Sequence, residues 1–143
     1  MTNVSIPHRL PIRIYYEDTD FSGLVYHASY LRFMERARTE MLRELGLHQR
    51  ALAEGASGAL IFFVVRAMEI DFQKPATMDD LLTVETRAEA LGGASLTLDQ
   101  RVLRGDELLA RAAVKVVCVE AGRARRIPAE VRAKFQSLVS PPG

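Results

Sequence analysis

Asp18, Asp20, Gly23 and His27 stand close together in YYEDTDFSGLVYHASYLRFMERAR, the stretch from Tyr15 to Arg38. From His27 onward Tyr30, Phe33, Met34, Ala37, Met41 and Leu45 recur at steps of three and four, the period of a helix with one buried face. A helix that begins near His27 or Ala28 points its first, unpaired N–H groups back toward the loop carrying Asp18 and Asp20. Donors and carboxylates then converge on one small volume. There the N–H groups could hold an oxyanion growing on an attacked carbonyl, while a carboxylate supplies or positions the nucleophile. Each residue also has a purely structural reading. Asp near a helix start commonly shapes turns and caps, and a histidine there can simply bond to backbone. The trio Glu17, Asp18 and Asp20 could hold a divalent cation only with further oxygen donors, and the sequence identifies none.

The elements that must position these groups follow from the rest of the chain. Its 143 residues fit one domain, residues 1–143. With 48% hydrophobic and 26% charged residues it has the composition of an ordinary globular protein, and no apolar run could span a bilayer. The amino terminus lacks a basic region followed by an apolar one, so a cytoplasmic location is expected. A net charge of +1 gives no general attraction to nucleic acid. Three histidines and one cysteine lack metal-ligand spacing, so no zinc is expected. Cys118, within AAVKVVCVE, reads as a small buried hydrophobe.

Arg9 to Tyr16 alternates, with Ile12, Ile14 and Tyr16 on one side, as in a half-buried strand. The long helix stops at Gly46, and its outer face carries Arg32, Glu35, Arg36, Arg38, Glu40, Arg43 and Glu44. His8 and His48 read as surface residues. A short helix is expected over Leu47 to Glu54, and a loop over Gly55 to Gly58. LIFFVVRAMEIDF, Leu60 to Phe72, is a strand with Val64, Met68, Ile70 and Phe72 sharing a side. After Lys74-Pro75, a second strand places Leu82, Val84, Thr86, Ala88 and Ala90 inward. Gly92-Gly93 and Gly105-Asp106 then link it to strands over Ser95 to Arg104 and Glu107 to Glu120 in an antiparallel meander. Pro128 to Leu138 forms a last amphipathic helix, and Ser140 to Gly143 is expected to fray. The fold class is α+β, one dominant helix against a five-stranded antiparallel sheet. One helix cannot cover both faces of such a sheet, so another copy of the chain is expected to bury what is left.

The pattern D-x-D-x-x-G-x-V-x-H-x-x-Y, met by Asp18, Asp20, Gly23, Val25, His27 and Tyr30, resembles the start of the YbgC-like branch of the 4-hydroxybenzoyl-CoA thioesterase family. The resemblance runs from about Arg13 to Pro128 and includes IDFQKPATMDDLLTVET. It implies the hotdog fold, a long helix wrapped by an antiparallel sheet, in homodimers whose sheets join or in homotetramers. It further implies hydrolysis of acyl-coenzyme A without a cofactor. Asp20 matches the family's active-site carboxylate and His27 the histidine of this branch. Benzoyl-specific members carry tyrosine at the His27 position, so short- to medium-chain aliphatic acyl groups are the implied substrates, with acyl carrier protein as an alternative carrier.

Around that chemistry, Tyr26 and Tyr30 are expected to pack about the acyl pocket. Lys74 and the cluster Arg123, Arg125 and Arg126 are candidates for coenzyme A phosphates, or else solvated charges. A thioester is already activated, so the site needs only a nucleophile and oxyanion donors. Asp20 could act as general base toward water or attack directly. Two other functions use the same fold: a dehydratase or hydratase acting on 3-hydroxyacyl thioesters, and a non-catalytic partner of an acyl carrier in envelope lipid synthesis.

Overall fold

A computed structural model describes residues 6–56 and 58–139, so the carboxyl-terminal tail from Ser140 lies outside the described residues. Strand β1 (His8–Arg13) leads through a single 3-10 turn (Tyr16–Asp18) to helix α1 (His27–Glu44) and the short α2 (Gln49–Ala53). Strands β2 (Phe62–Phe72), β3 (Leu81–Leu91), β4 (Ser95–Arg104) and β5 (Glu107–Glu120) follow, then the two-residue β6 (Arg123–Ala124) and helix α3 (Ala129–Gln136). The main sheet runs β1-β3-β4-β5-β2, antiparallel throughout, and β6 pairs with the end of β5. This is the expected meander, with β1 and β2 added at its two edges.

The apolar period of α1 decides where the core sits. Tyr30, Phe33, Met34, Ala37 and Met41 are buried, and they pack in one cluster with Leu82 and Val84 of β3, Leu98 and Val102 of β4, and Ala112 and Val114 of β5. Val131 and Phe135 of α3, with Ile127 just before it, close the same cluster. Helix α1 ends where Gly46 takes φ +79°, a left-handed conformation that a side chain would strain. Cys118 is fully buried in this core, and burial pushes its thiol pKa up, which makes it an inert packing residue.

Of three register shifts in the sheet, one lies beside the β4–β5 turn, between Val102 and Leu103, while two bulges and one turn change faces read from the sequence. In β2 the register shifts between Val65 and Ala67, so Phe63 and Val65 share the α1-facing side with Met68, Ile70 and Phe72, and Val64 lies on the other side. In β3 a shift between Ala88 and Ala90 takes Ala90 out of the inward set, and it is exposed. Bulges insert one residue and invert the phase beyond it. The first strand ends at Arg13, and the turn that follows leaves Tyr16 80% exposed although Ile12 and Ile14 are buried as expected. His8 also differs from its surface reading. Its side chain is only 13% exposed, and its Nε2 lies 3.4 Å from Glu44 Oε2.

The edges of the sheet are unlike each other. Strand β1 carries Pro11 and is preceded by Pro7, which disfavour further pairing. Strand β2 is eleven residues long, holds no proline, and among the described residues pairs only with β5. Phe62, Val64 and Val65 on it are exposed.

Candidate active site

Thr19 to Tyr26 forms a closed loop held at both ends by main-chain bonds. Thr19 and Val25 form an isolated bridge, the Asp20 N–H donates to the Leu24 carbonyl at 2.8 Å, and the Val25 N–H donates to the Ala76 carbonyl at 2.8 Å. At its tip the Gly23 N–H returns to the Asp20 carbonyl at 3.0 Å, and Gly23 has φ +84°, which explains why glycine stands there. The loop therefore has a defined shape that fixes Asp20 at its shoulder.

Asp18 and Asp20 have separate tasks. Asp18 is buried; its Oδ2 accepts the Tyr15 N–H at 2.9 Å, and its carbonyl accepts the Tyr26 N–H at 2.9 Å and the Ser29 hydroxyl at 3.3 Å. It ties the turn to the start of α1. Asp20 is exposed, and its Oδ1 accepts both the Ser22 hydroxyl and, at 2.8 Å, the Ser22 N–H. The Ser22 side-chain bond first, then the Ser22 and Leu24 backbone groups and the nearby His27, hold the Asp20 carboxyl below its ordinary pKa, against a smaller desolvation effect.

Helix α1 starts at His27 with Tyr26 as its N-cap, as the spacing predicts. The Tyr26 N–H is taken by Asp18 and the Ser29 N–H by Tyr26, whereas no acceptor among the described residues pairs with the His27 or Ala28 N–H. The His27 ring lies against Phe72 at 4.5 Å between centroids, tilted 31°, and Tyr30 meets Phe72 edge-on at 5.4 Å. Tyr30 is 2% exposed, and burial raises its phenol pKa.

Asp20, His27, Tyr30 and Lys74 line one cavity of about 450 Å³, together with Leu24, Val25, Phe72, Gln73 and Pro75. Four of the six expected site residues thus meet. Tyr26 is exposed outside this lining. Arg126 follows β6 at the far end of β5, near Gly93, whereas Lys74 follows the opposite end of β2, about 33 Å of strand away. Lys74 is also already engaged, its Nζ lying 2.9 Å from Glu107 Oε2. Glu107 takes a second cation, Arg104, at 2.7 Å, and Arg104 reaches Asp80 at 2.8 Å. This ion network braces the Gln73–Pro75 wall from behind.

Phe72 is the residue that sequence reasoning missed. It was legible only as an apolar position at a strand end, yet it touches both His27 and Tyr30. Among the described residues no group of three or more histidine, cysteine or acidic side chains is placed to hold a metal ion.

A helix wrapped by an antiparallel sheet, with a carboxylate loop and unpaired N–H groups at the helix start, defines a hotdog thioesterase-like protein. The chain belongs to the thioesterase-like superfamily, whose family model matches residues 15–135. Among its relatives, the acyl-CoA thioesterase YbgC of Haemophilus influenzae is 47% identical over 130 residues, which is 90% of this chain and 93% of that protein. The acyl-CoA thioester hydrolase YbgC of Escherichia coli O6:H1 is 44% identical over 131 residues, 90% of this chain and 95% of that one. The crystal structure of a probable thioesterase from Bartonella henselae superposes with a TM-score of 0.83 at 46% identity, covering 86% of this chain and all of that one.

Proposed function

We propose that this protein is an acyl-CoA thioesterase that hydrolyses short- to medium-chain acyl thioesters to free acid and thiol. The observation that carries the reading is the single cavity shared by Asp20, His27 and the start of α1. The YbgC relatives, named for the same activity, support it.

In this reading the thioester carbonyl sits over the first turn of α1, and the His27 and Ala28 N–H groups take up the developing oxyanion. Asp20 removes a proton from water as the water oxygen bonds to the carbonyl carbon. The tetrahedral intermediate then collapses, the C–S bond breaks, and the thiolate recovers the proton. Direct attack by Asp20 uses the same placement. It gives a mixed anhydride and free thiolate, and water then cleaves the anhydride. His27, held by Phe72, orients the carbonyl or the carboxylate.

The free edge of β2 is the face on which we place a second copy. A long, proline-free, apolar edge is an open pairing surface, whereas β1 is guarded by prolines. Antiparallel pairing of β2 with its own copy about a two-fold axis would carry the partner subunit's Arg126 toward this chain's Asp20, and would give that arginine a route to coenzyme A phosphates. Acyl carrier protein as donor and a cytoplasmic location go with this reading.

Product analysis tests it. Incubation with acyl-CoA thioesters from acetyl to long-chain should release free thiol and carboxylic acid in equal amounts. A 3-hydroxyacyl-CoA converted to the unsaturated thioester, or a 2-enoyl-CoA converted to the 3-hydroxyacyl thioester, with no thiol freed from either, would assign the site to a dehydratase or hydratase instead.

A further inference from the structure

The outer face of α1 holds one residue that does not behave as a surface charge. Arg38 is half-buried, and its Nη1 donates at 2.9 Å to Oε1 of Gln100, which is fully buried in β4. Gln100 spends its own amide on the Met34 carbonyl and the Thr86 hydroxyl, both at 3.0 Å, so it offers Arg38 a neutral partner only. Among the described residues Arg38 makes no ion pair; its hydrogen-bond partner is Gln100. Glu35 faces the same space but accepts the Thr39 hydroxyl at 2.9 Å and supports the guanidinium only at longer range. Burial pulls the Arg38 pKa down, the mark of a cation deprived of water without a matching anion.

What surrounds this guanidinium is a second cavity. It has a volume of about 140 Å³ and is walled mainly by apolar side chains, among them Phe63 and Val65 of β2, Leu98 of β4, Val116 of β5 and Phe135 of α3. No residue is shared with the cavity that holds Asp20. The bulge in β2 makes it, because the register shift turns Phe63 and Val65 toward α1. A mainly apolar pocket, with Glu35, Thr39 and Gln49 at its polar side and on its wall one planar cation that has no ion pair among the described residues, fits a carboxylate on an apolar chain. The guanidinium edge not used by Gln100 meets the carboxylate, and the hydrocarbon fills the space behind it.

We propose that the Arg38 cavity is a binding site for free medium-chain monocarboxylates, separate from the catalytic cavity. Binding rests on the geometry around Arg38 alone. The hydrolase reading adds that such acids are the class of molecule the reaction releases, so the site would sense product.

The test uses octanoate and its uncharged counterpart 1-octanol, titrated calorimetrically into the full-length protein and into Arg38→Gln and Asp20→Asn. Arg38→Gln keeps a donor for Gln100 while removing the charge, and thermal melts establish that each variant is folded. Wild type and Asp20→Asn should bind octanoate equally, at least tenfold more tightly than octanol. Arg38→Gln should lose that tenfold preference and keep its octanol binding. The proposal is overturned if wild type does not prefer octanoate, or if Arg38→Gln retains the preference. It is also overturned if Asp20→Asn weakens or strengthens octanoate binding several-fold, which would place the acid in the catalytic cavity beside that carboxylate. None of these outcomes depends on thiol release, so failure here and failure of the hydrolase reading are separate results.

Discussion

The imidazole of His27, first residue of α1, lies against the ring of Phe72, last residue of β2, at 4.5 Å between centroids. The contact joins the helix whose first N–H groups we propose as oxyanion donors to the strand that walls the cavity. Replacing Phe72 by Ala removes it together with the edge-on contact to Tyr30. Aromatic contacts of this kind are worth about 0.5–1.5 kcal/mol each, so kcat/KM should fall by about tenfold. Phe72 is 38% exposed, and the melting temperature should change little. Steady-state kinetics with one acyl-CoA would decide it, and an unchanged kcat/KM would show that the stacking has no part in the site.

The hydrogen bonds from Ser22 stabilise the charged form of Asp20, so its carboxylate should stay ionised to a pH below the usual carboxylate range. Activity that needs the carboxylate is therefore full at neutral pH and is lost on the acid side as pH falls through that depressed pKa. Ser22→Ala deletes the largest contribution, and the pKa rises. The acid limb of the kcat/KM profile should move to higher pH in this variant, with the neutral plateau retained. A limb that stays in place, or moves the other way, would dissociate it from Asp20.

Gln100 links three elements through one side chain, bonding to Arg38 and Met34 of α1 and to Thr86 of β3. Gln100→Leu fits an apolar core but strands the guanidinium and the hydroxyl. Leaving buried polar groups unpaired costs about 1–3 kcal/mol, and urea unfolding should show a loss of that order. A variant as stable as wild type would mean that water satisfies Arg38 without help.

Sedimentation equilibrium tests the assignment of the β2 edge. The chain should run as a dimer or a multiple of it, and a charge placed on the exposed side of that edge, Val64→Lys, should shift it toward monomer. A monomeric wild type would leave the site to be completed by one chain alone.

How far the sequence reads is set by how local each signal is. The start of α1 at His27, its stop at Gly46 and the meander from Leu81 to Glu120 follow from periodicity and turn residues that act over a few positions. That Asp20 and His27 meet in one cavity was legible because loop and helix start adjoin in the chain. Lys74 joined them through the Lys-Pro break that ends β2. The two bulges were not legible, since an extra residue near Arg66 or Glu89 leaves no mark in composition yet inverts the faces of Val64 and Ala90. Arg38 was misread for a related reason. It sits on the charged side of the helical period, but the sheet curls far enough around α1 for Gln100 to reach it. Phe72 and His27 lie far apart in sequence, and only the closed sheet brings their rings together.

The most direct test of the account is kcat for Asp20→Asn against wild type on the best acyl-CoA substrate, with folding checked by circular dichroism and thermal melting. Asn keeps the size and the acceptor oxygen for Ser22 but is neither base nor nucleophile. General-base catalysis is worth about 10²–10⁴-fold, so thiol release should fall by at least about a hundredfold in a protein that melts like wild type. A folded Asp20→Asn variant with wild-type kcat would contradict the placement of Asp20 at the centre of the chemistry.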